Sequence, residues 1–244
     1  MSFADQSEFA VRFEWGLAGL RATAQNAVIA IIDVLSFTTS VSVACGRGAL
    51  VFPCDWNEEH AVALAMREHA TLAARRGNED MFRERFSLSP DSLLSISAAT
   101  RIVLPSQNGS VLAHEASLDG RTCVAASIRN ASATAAWLMG QNRSIAVIAA
   151  GERWPDGTLR FALEDFLGAG ALIAHLSGSR SPEAATAEAA FRAAHTALRE
   201  TLEQSSSGQE LVQRGFANDV SLAAELSVER LVPVLHNGAF SGVS

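Results

Sequence analysis

Asp33 closes an apolar run, AVIAII (27–32), and the hydroxyl side chains of Ser36, Thr38 and Thr39 follow it. A second run, RIVLP (101–105), also ends in small polar residues, with Asn108, Gly109 and Ser110 ahead of a helix-like stretch. Both read as strand–turn–helix units. In α/β proteins ligands bind outside the carboxyl ends of such strands. Free N–H groups at a helix start hold anions, phosphate in particular, and Gly109 lets a backbone approach a ligand closely. A carboxylate beside an anion cradle suits chemistry on a phosphorylated compound. Each feature also has a plainer reading. A buried carboxylate must be paired, hydrogen-bonded or metal-bound, so Asp33 is either a metal or catalytic group or an acceptor for turn amides. Thr38 is either a phosphate contact or a helix N-cap, and Asn-Gly is also an ordinary turn pair.

A third region, GERWPDGTLRFALED (151–165), follows another apolar run and is dense in charge. Its carboxylates Glu152, Asp156, Glu164 and Asp165 are hard oxygen ligands, which suit Mg²⁺. Its arginines, Arg153 and Arg160, suit forked hydrogen bonding to phosphate or sulfonate. The alternative is a solvated loop leading into a helix with acidic residues near its start. No Walker loop and no nucleophile elbow occur. The six histidines form no ligand pair, and Cys45, Cys54 and Cys123 read as small core residues rather than a disulfide framework or zinc site.

The elements that would position these groups alternate. Phe9 to Trp15 has a period of two, as a half-buried strand does. AVIAII is a strand covered on both faces, and Thr38 to Cys45 forms the helix after it. ALVF (49–52) is a strand, and residues 58–77 read as a helix stopped by Gly77. The polar stretch 77–93 is a loop or lid. RIVLP and TCVAAS (122–127) are strands around a short helix, and Asn130 caps ASATAAWLMG (131–140). IAVIAAG (145–151) is a buried strand, residues 151–160 a loop, and FALEDFLGAGALIAHL (161–176) a helix. An Ala-rich helix starts at Ser181-Pro182, Ser207 and Glu210 fit a capping box, and LVPVL (231–235) ends the sheet with Pro233 marking an edge. The expectation is a three-layer α/β/α fold with a largely parallel or mixed sheet. No linker splits residues 1–244, so one α/β domain is expected, and two similar halves, a pseudo-duplication around residues 120–144, are compatible with the pattern.

The chain has 244 residues, 48% of them hydrophobic and 18% charged, enough for a sizeable core. A net charge of −7 argues against a nucleic-acid surface. No stretch reaches the length of a membrane span, and the N-terminus lacks the basic flank of a signal peptide. A cytoplasmic location with no membrane partner is expected. An apolar face on an Ala-rich helix would serve either core packing or a homodimer.

The segments DVLSFTTS, LPSQNGS, ASIRNASA, AAGERWPDGTLRFALEDFLGAGALI, SSGQELVQRGFANDV and LVPVLHNGAF occur in the order seen in the 2-phosphosulfolactate phosphatases. From about Ala27 to Phe240 the chain resembles that family. The resemblance implies an α/β/α fold and Mg²⁺-dependent hydrolysis of a small acidic phosphomonoester, 2-phospho-3-sulfolactate, in the coenzyme M route. It implies roles for Asp33, Thr38 and Thr39, for Asn108 to Ser110, for Glu164 and Asp165, and for Gly215, Phe216 and Asp219. Asp33, Glu164 and Asp165 are then the expected metal and catalytic set, with Ser36, Thr38, Thr39, Asn108, Gly109, Ser110, Arg153 and Arg160 around the phosphate. The family pattern has Arg where this chain has Ser36, Gly-Glu-Arg where it reads Gly77-Asn78-Glu79, and Asn where it has Leu88. Arg153 or Arg160 is the expected substitute for a missing cation. The alternatives are a diverged member that binds a phosphorylated or sulfonated metabolite without hydrolysis, and a protein that keeps only the fold.

Overall fold

The computed structural model of the protein describes residues 3–23, 26–76 and 86–244. Asn78 and most of the expected lid lie outside the described residues. The chain opens with β1 (Val11–Trp15), α1 (Gly16–Ala22), β2 (Val28–Ile32) and α2 (Phe37–Gly46). Next come β3 (Leu50–Cys54), α3 (Glu58–Glu68), β4 (Thr71–Leu72) and the single turn α4 (Pro90–Leu93). The middle comprises β5 (Arg101–Pro105), α5 (Gly109–Leu118), β6 (Cys123–Ala126), α6 (Ala131–Gly140) and β7 (Ile145–Ala149). A hairpin, β8 (Glu152–Arg153) and β9 (Leu159–Arg160), leads into α7 (Leu163–Ile173) and α8 (Pro182–Ala194). The chain closes with α9 (Leu198–Gln204), α10 (Ser206–Gln213), α11 (Ala217–Ala223), β10 (Val232–His236) and β11 (Ala239–Val243).

Nine strands form one mixed sheet in the order β1-β7-β2-β6-β10-β11-β3-β5-β4. β1, β7, β2 and β6 are mutually parallel, as are β3, β5 and β4. Between the two blocks lies the antiparallel β10–β11 hairpin, which pairs antiparallel with β6 on one side and β3 on the other. The blocks therefore run in opposite directions. Strand alternation divides β2 between two cores. Val28, Ala30 and Ile32 face the core that includes Leu167 and Leu172 of α7, whereas Ile29 and Ile31 face the core that includes Phe37 of α2 and Leu112 of α5. Helices thus cover both faces of the sheet, the α/β/α layering expected from the alternating pattern. No helix among the described residues is long and apolar enough to cross a membrane.

Several boundaries differ from expectation for local reasons. α3 ends at Glu68, where His69 adopts a left-handed conformation (φ 49°), and Thr71–Leu72 then joins the edge of the sheet beside β5. Pro233 does not mark an edge: β10 is interior, but β6 pairs only with its Val234 and Leu235, so no ladder bond from β6 is due at the proline. β11 was not anticipated, although Asn237 and Gly238 (φ 50° and 80°) form the two-residue turn that a right-twisted hairpin requires. The stretch 151–160 contains the β8–β9 hairpin rather than only a loop. Ser205, not Ser207, caps α10 by accepting from the Gly208 amide. Asn130 is fully buried; it accepts from the Ser127 amide and donates to the Ala125 carbonyl.

α7 and α8 cross closely at Gly170, where an added methyl would collide with the Ala187 carbonyl of α8. Backbone cannot retreat as a side-chain tip can. Gly170→Ala is therefore expected to lower folding stability by about 1–3 kcal/mol, the usual cost of overpacking, read as the midpoint of chemical denaturation. An unchanged midpoint would show that the two helices are not held at this distance.

Candidate active site

Asp33 follows β2 by one residue. Its Oδ1 accepts from the Phe37 amide at 3.1 Å and its Oδ2 from the Gly109 amide at 2.8 Å. Phe37 and Gly109 are the first residues of α2 and α5, so one carboxylate serves the positive ends of two helices. The turn into α2 contains a cis peptide at Leu35–Ser36. Thr38 donates its hydroxyl to the Asp33 carbonyl and Thr39 donates to the Val34 carbonyl, both fully buried. The Ser110 hydroxyl donates to the Ser106 carbonyl and is also buried.

A second buried carboxylate repeats the arrangement. Asp165, in the first turn of α7, accepts from the Val34 amide at 2.7 Å and from the Gly151 amide at 2.8 Å. It thereby ties the segment after β2 to the segment after β7. Glu164, only 2% exposed, accepts no hydrogen bond from the described residues. Glu152, at the start of β8, takes one from Asn108 Nδ2 at 3.2 Å.

These four acids lie within electrostatic reach of one another. Burial pushes the Asp33 carboxyl above its ordinary value; the Gly109 and Phe37 amides pull it back, and Glu164 pushes it up again. Asp165 is raised further, by burial first and then by Asp33 and Glu164. Burial, with Asp33 and Glu164, lifts Glu152 to about 7. Such a concentration of acid at a cleft is a mark of a functional site.

Asp33 and Glu152 open onto a cleft of about 200 Å³ that is also lined by Ser36, Arg76, Asn108, Ser207 and Arg214. Arg76 is ion-paired with buried Asp219 at 3.1 Å and donates to the Ser36 hydroxyl. Asp219 Oδ1 in turn accepts from the Ser89 hydroxyl at 2.6 Å. Arg214 pairs with Glu210 at 3.0 Å.

The expected residues therefore separate. Asp33, Ser36 and Asn108 reach the cleft, while Glu164 and Asp165 lie behind it. Thr38, Thr39 and Ser110 do not offer hydroxyls to a ligand, because nearby carbonyls take them. The first amides of α2 and α5 do not form an open anion cradle either, since the Asp33 carboxylate already occupies them. Arg153 is exposed and donates to Asn108 Oδ1 and to the Gln107 and Gly157 carbonyls, behind the residues that line the cleft and not among them. Arg160 lies over the Trp154 ring and donates to Ser207 at 3.3 Å at the cleft margin. Arg76 and Glu152 are the residues that sequence reasoning undervalued: Arg76 looked like the end of a helix, and Glu152 like one charge among several.

A family model for 2-phosphosulpholactate phosphatase matches residues 18–238. A protein of Carboxydothermus hydrogenoformans is 31% identical over 217 residues, covering 87% of this chain and 88% of its own. One from Deinococcus radiodurans is 31% identical over 219 residues, covering 86% and 88%. One from Thermotoga maritima is 31% identical over 216 residues, covering 86% and 89%. Each of the three is named a probable 2-phosphosulfolactate phosphatase. The chain belongs to the 2-phosphosulfolactate phosphatase family. In this member the position after Asp33-Val34-Leu35 is Ser36, and the guanidinium of Arg76, four residues after β4, reaches it. Among the described residues no three of His, Cys, Asp and Glu converge as a ready-made metal cage.

Glu152 makes the stability of the metal-free protein depend on pH in a definite direction. Its folded-state value, about 7, exceeds the ordinary 4.5, so the folded form binds the extra proton and its stability is full below the ordinary value. That contribution is lost as pH rises through about 7. Thermal melts with chelator present should show Tm falling across this window and Glu152→Gln flattening the fall. Parallel curves for the two proteins would remove Glu152 from the acidic cluster.

Proposed function

We propose that the protein is a Mg²⁺-dependent phosphomonoesterase acting on a small acidic phosphate ester, 2-phospho-3-sulfolactate or a related compound. The observation that carries this reading is the cleft itself: two carboxylates, Asp33 and Glu152, face an arginine, Arg76, that is held from behind by Asp219. The donor set fits the metal. Asp33, Glu152, Glu164 and Asp165 bring four acids together, and Arg76 and Arg160 are cations that act on them among the described residues. Mg²⁺ binds through one or two carboxylates, with substrate oxygens and waters completing its shell, so a closed three-residue cage is not required. Asp33 and Glu152 would hold it from the cleft wall, with Glu164 adding charge from beneath. Bound there, the ion would neutralise phosphoryl oxygens and make water a better nucleophile.

The chain's own groups have separate tasks. Arg76 turns its positive charge toward the phosphoryl group, and Asp219, Ser36 and the Leu88 carbonyl fix the direction of its guanidinium. Asn108 holds Glu152. Asp165 positions the Val34 and Gly151 amides, and so the two turns that carry Asp33 and Glu152. Ser207 and Arg214 bound the far side of the cleft, where an acid group of the substrate other than the phosphate would lie. Catalysis in such a site is placement and electrostatic stabilisation.

A diverged member that binds without hydrolysis is the second reading, favoured because each Asp33 oxygen is already engaged with an amide. Phosphate release from a panel of phosphomonoesters, with Mg²⁺ and with chelator, separates the two. Chelator-sensitive release is expected, Asp33→Asn should lower kcat/KM by at least about 100-fold, and Arg76→Ala should raise KM about tenfold. Silence across the panel from folded, Mg²⁺-supplied protein would select the binding reading.

A further inference from the structure

A second cavity, of about 210 Å³, adjoins the acidic cleft, and Asn108 lines both. Its walls are apolar: Trp15, Leu17, Val111, Leu112, Ala150 and Leu159, with Arg153 at the rim. The walls come from the end of β1, the start of α1, the start of α5, the residue after β7 and the β8–β9 hairpin. All of them meet next to the turn that holds Asp33. Leu159 reaches over two glycines. A Cβ at Gly16 would come within 3.2 Å of its Cδ1, and one at Gly151 within 2.8 Å.

The cleft and the neighbouring cavity differ in character. Among the cleft's described lining residues, Arg76 and Arg214 are paired with Asp219 and Glu210, Asp33 and Glu152 add two carboxyl groups, and Arg160 reaches the margin through Ser207. The neighbouring cavity offers instead a wall of aliphatic and indole surface. Its size suits a ring, since an apolar cavity of about 150 Å³ accepts benzene.

We infer that this cavity is a specificity subsite for an apolar, ring-sized group of the ligand whose phosphoryl group occupies the acidic cleft. The favoured substrate class is then a phosphorylated hydroxy acid that carries an apolar arm. This inference rests on the phosphomonoesterase reading for turnover, but binding tests it separately.

Two comparisons decide it. With Mg²⁺ present, kcat/KM is measured for 2-phospho-3-phenyllactate, 2-phospholactate and 2-phospho-3-sulfolactate. Calorimetry gives the Kd of benzylphosphonate against methylphosphonate. The phenyl and benzyl ligands are expected to lead by at least about tenfold, the scale of burying a small apolar group. Ala18 is exposed and lines the cavity, so Ala18→Phe should erase the advantage and leave 2-phospholactate turnover within about twofold. Val111→Phe is the second blocking variant. Equal kinetics and affinities in the unmodified protein, a preference for the sulfonate, or an advantage that survives both variants would overturn the subsite. If no ester is hydrolysed but benzylphosphonate leads and Ala18→Phe removes the lead, the subsite stands and the hydrolytic reading falls.

Discussion

The two hydrogen bonds from the first amides of α2 and α5 to the carboxylate of Asp33 hold together parts of the sheet that run in opposite directions. β2 belongs to one parallel block and β5 to the other, yet the residues that follow them meet at 2.8 Å, Gly109 to Asp33. Without that acceptor, two helix starts would bring unpaired N–H groups into a buried turn, at a cost of about 1–3 kcal/mol for each group left unsatisfied. A methyl at Gly109 would press to within 2.5 Å of Phe37 and 2.8 Å of Asp33, which shows how little space separates the blocks there. Asp165 performs the same service between the turns after β2 and β7. The floor of the cleft is thus built from internal carboxyl groups seated on backbone amides.

That construction has an electrostatic consequence. Helix starts that could otherwise receive a ligand's phosphate are already occupied, so in the proposed function anion recognition would fall to side chains, with Arg76 foremost. It also leaves a local excess of carboxylate, since Glu152 and Glu164 lie close to acids already buried for structural reasons. Suppressed ionisation of Asp33, Asp165 and Glu152, whose pKa values burial and like charge raise, is the cost of that crowding. A divalent cation would relieve it, and this links the architecture to the proposed chemistry.

The legible parts of the chain are those whose signal is local. Val28–Ile32 reads as a doubly covered strand because all five side chains are apolar and all five are buried. Ser181-Pro182 reads as a helix start because the cap and the proline are adjacent. Asp33 was legible as a site residue because a carboxylate at the end of such a strand needs a partner. Its partner Gly109 is 76 positions away, and the Val34 amide that Asp165 receives is 131 positions away; no periodicity reports such distances. Thr38 and Thr39 were misplaced for a related reason, because a hydroxyl looks the same in sequence whether it faces a ligand or a carbonyl five residues back. Pro233 misled through a rule about sheet edges that holds only where a neighbouring ladder bond is due.

The most direct measurement is equilibrium binding of Mn²⁺, as a spectroscopic stand-in for Mg²⁺, followed by the electron paramagnetic resonance of the free ion with and without inorganic phosphate. The account predicts one saturable ion per chain, bound about tenfold tighter when phosphate is present, within the usual range of coupling between adjacent sites, and lost in Asp33→Ala. An absence of saturable ion binding, or ion binding indifferent to both phosphate and Asp33, would contradict the claim that this acidic cleft is built to bring a cation and a phosphoryl group together.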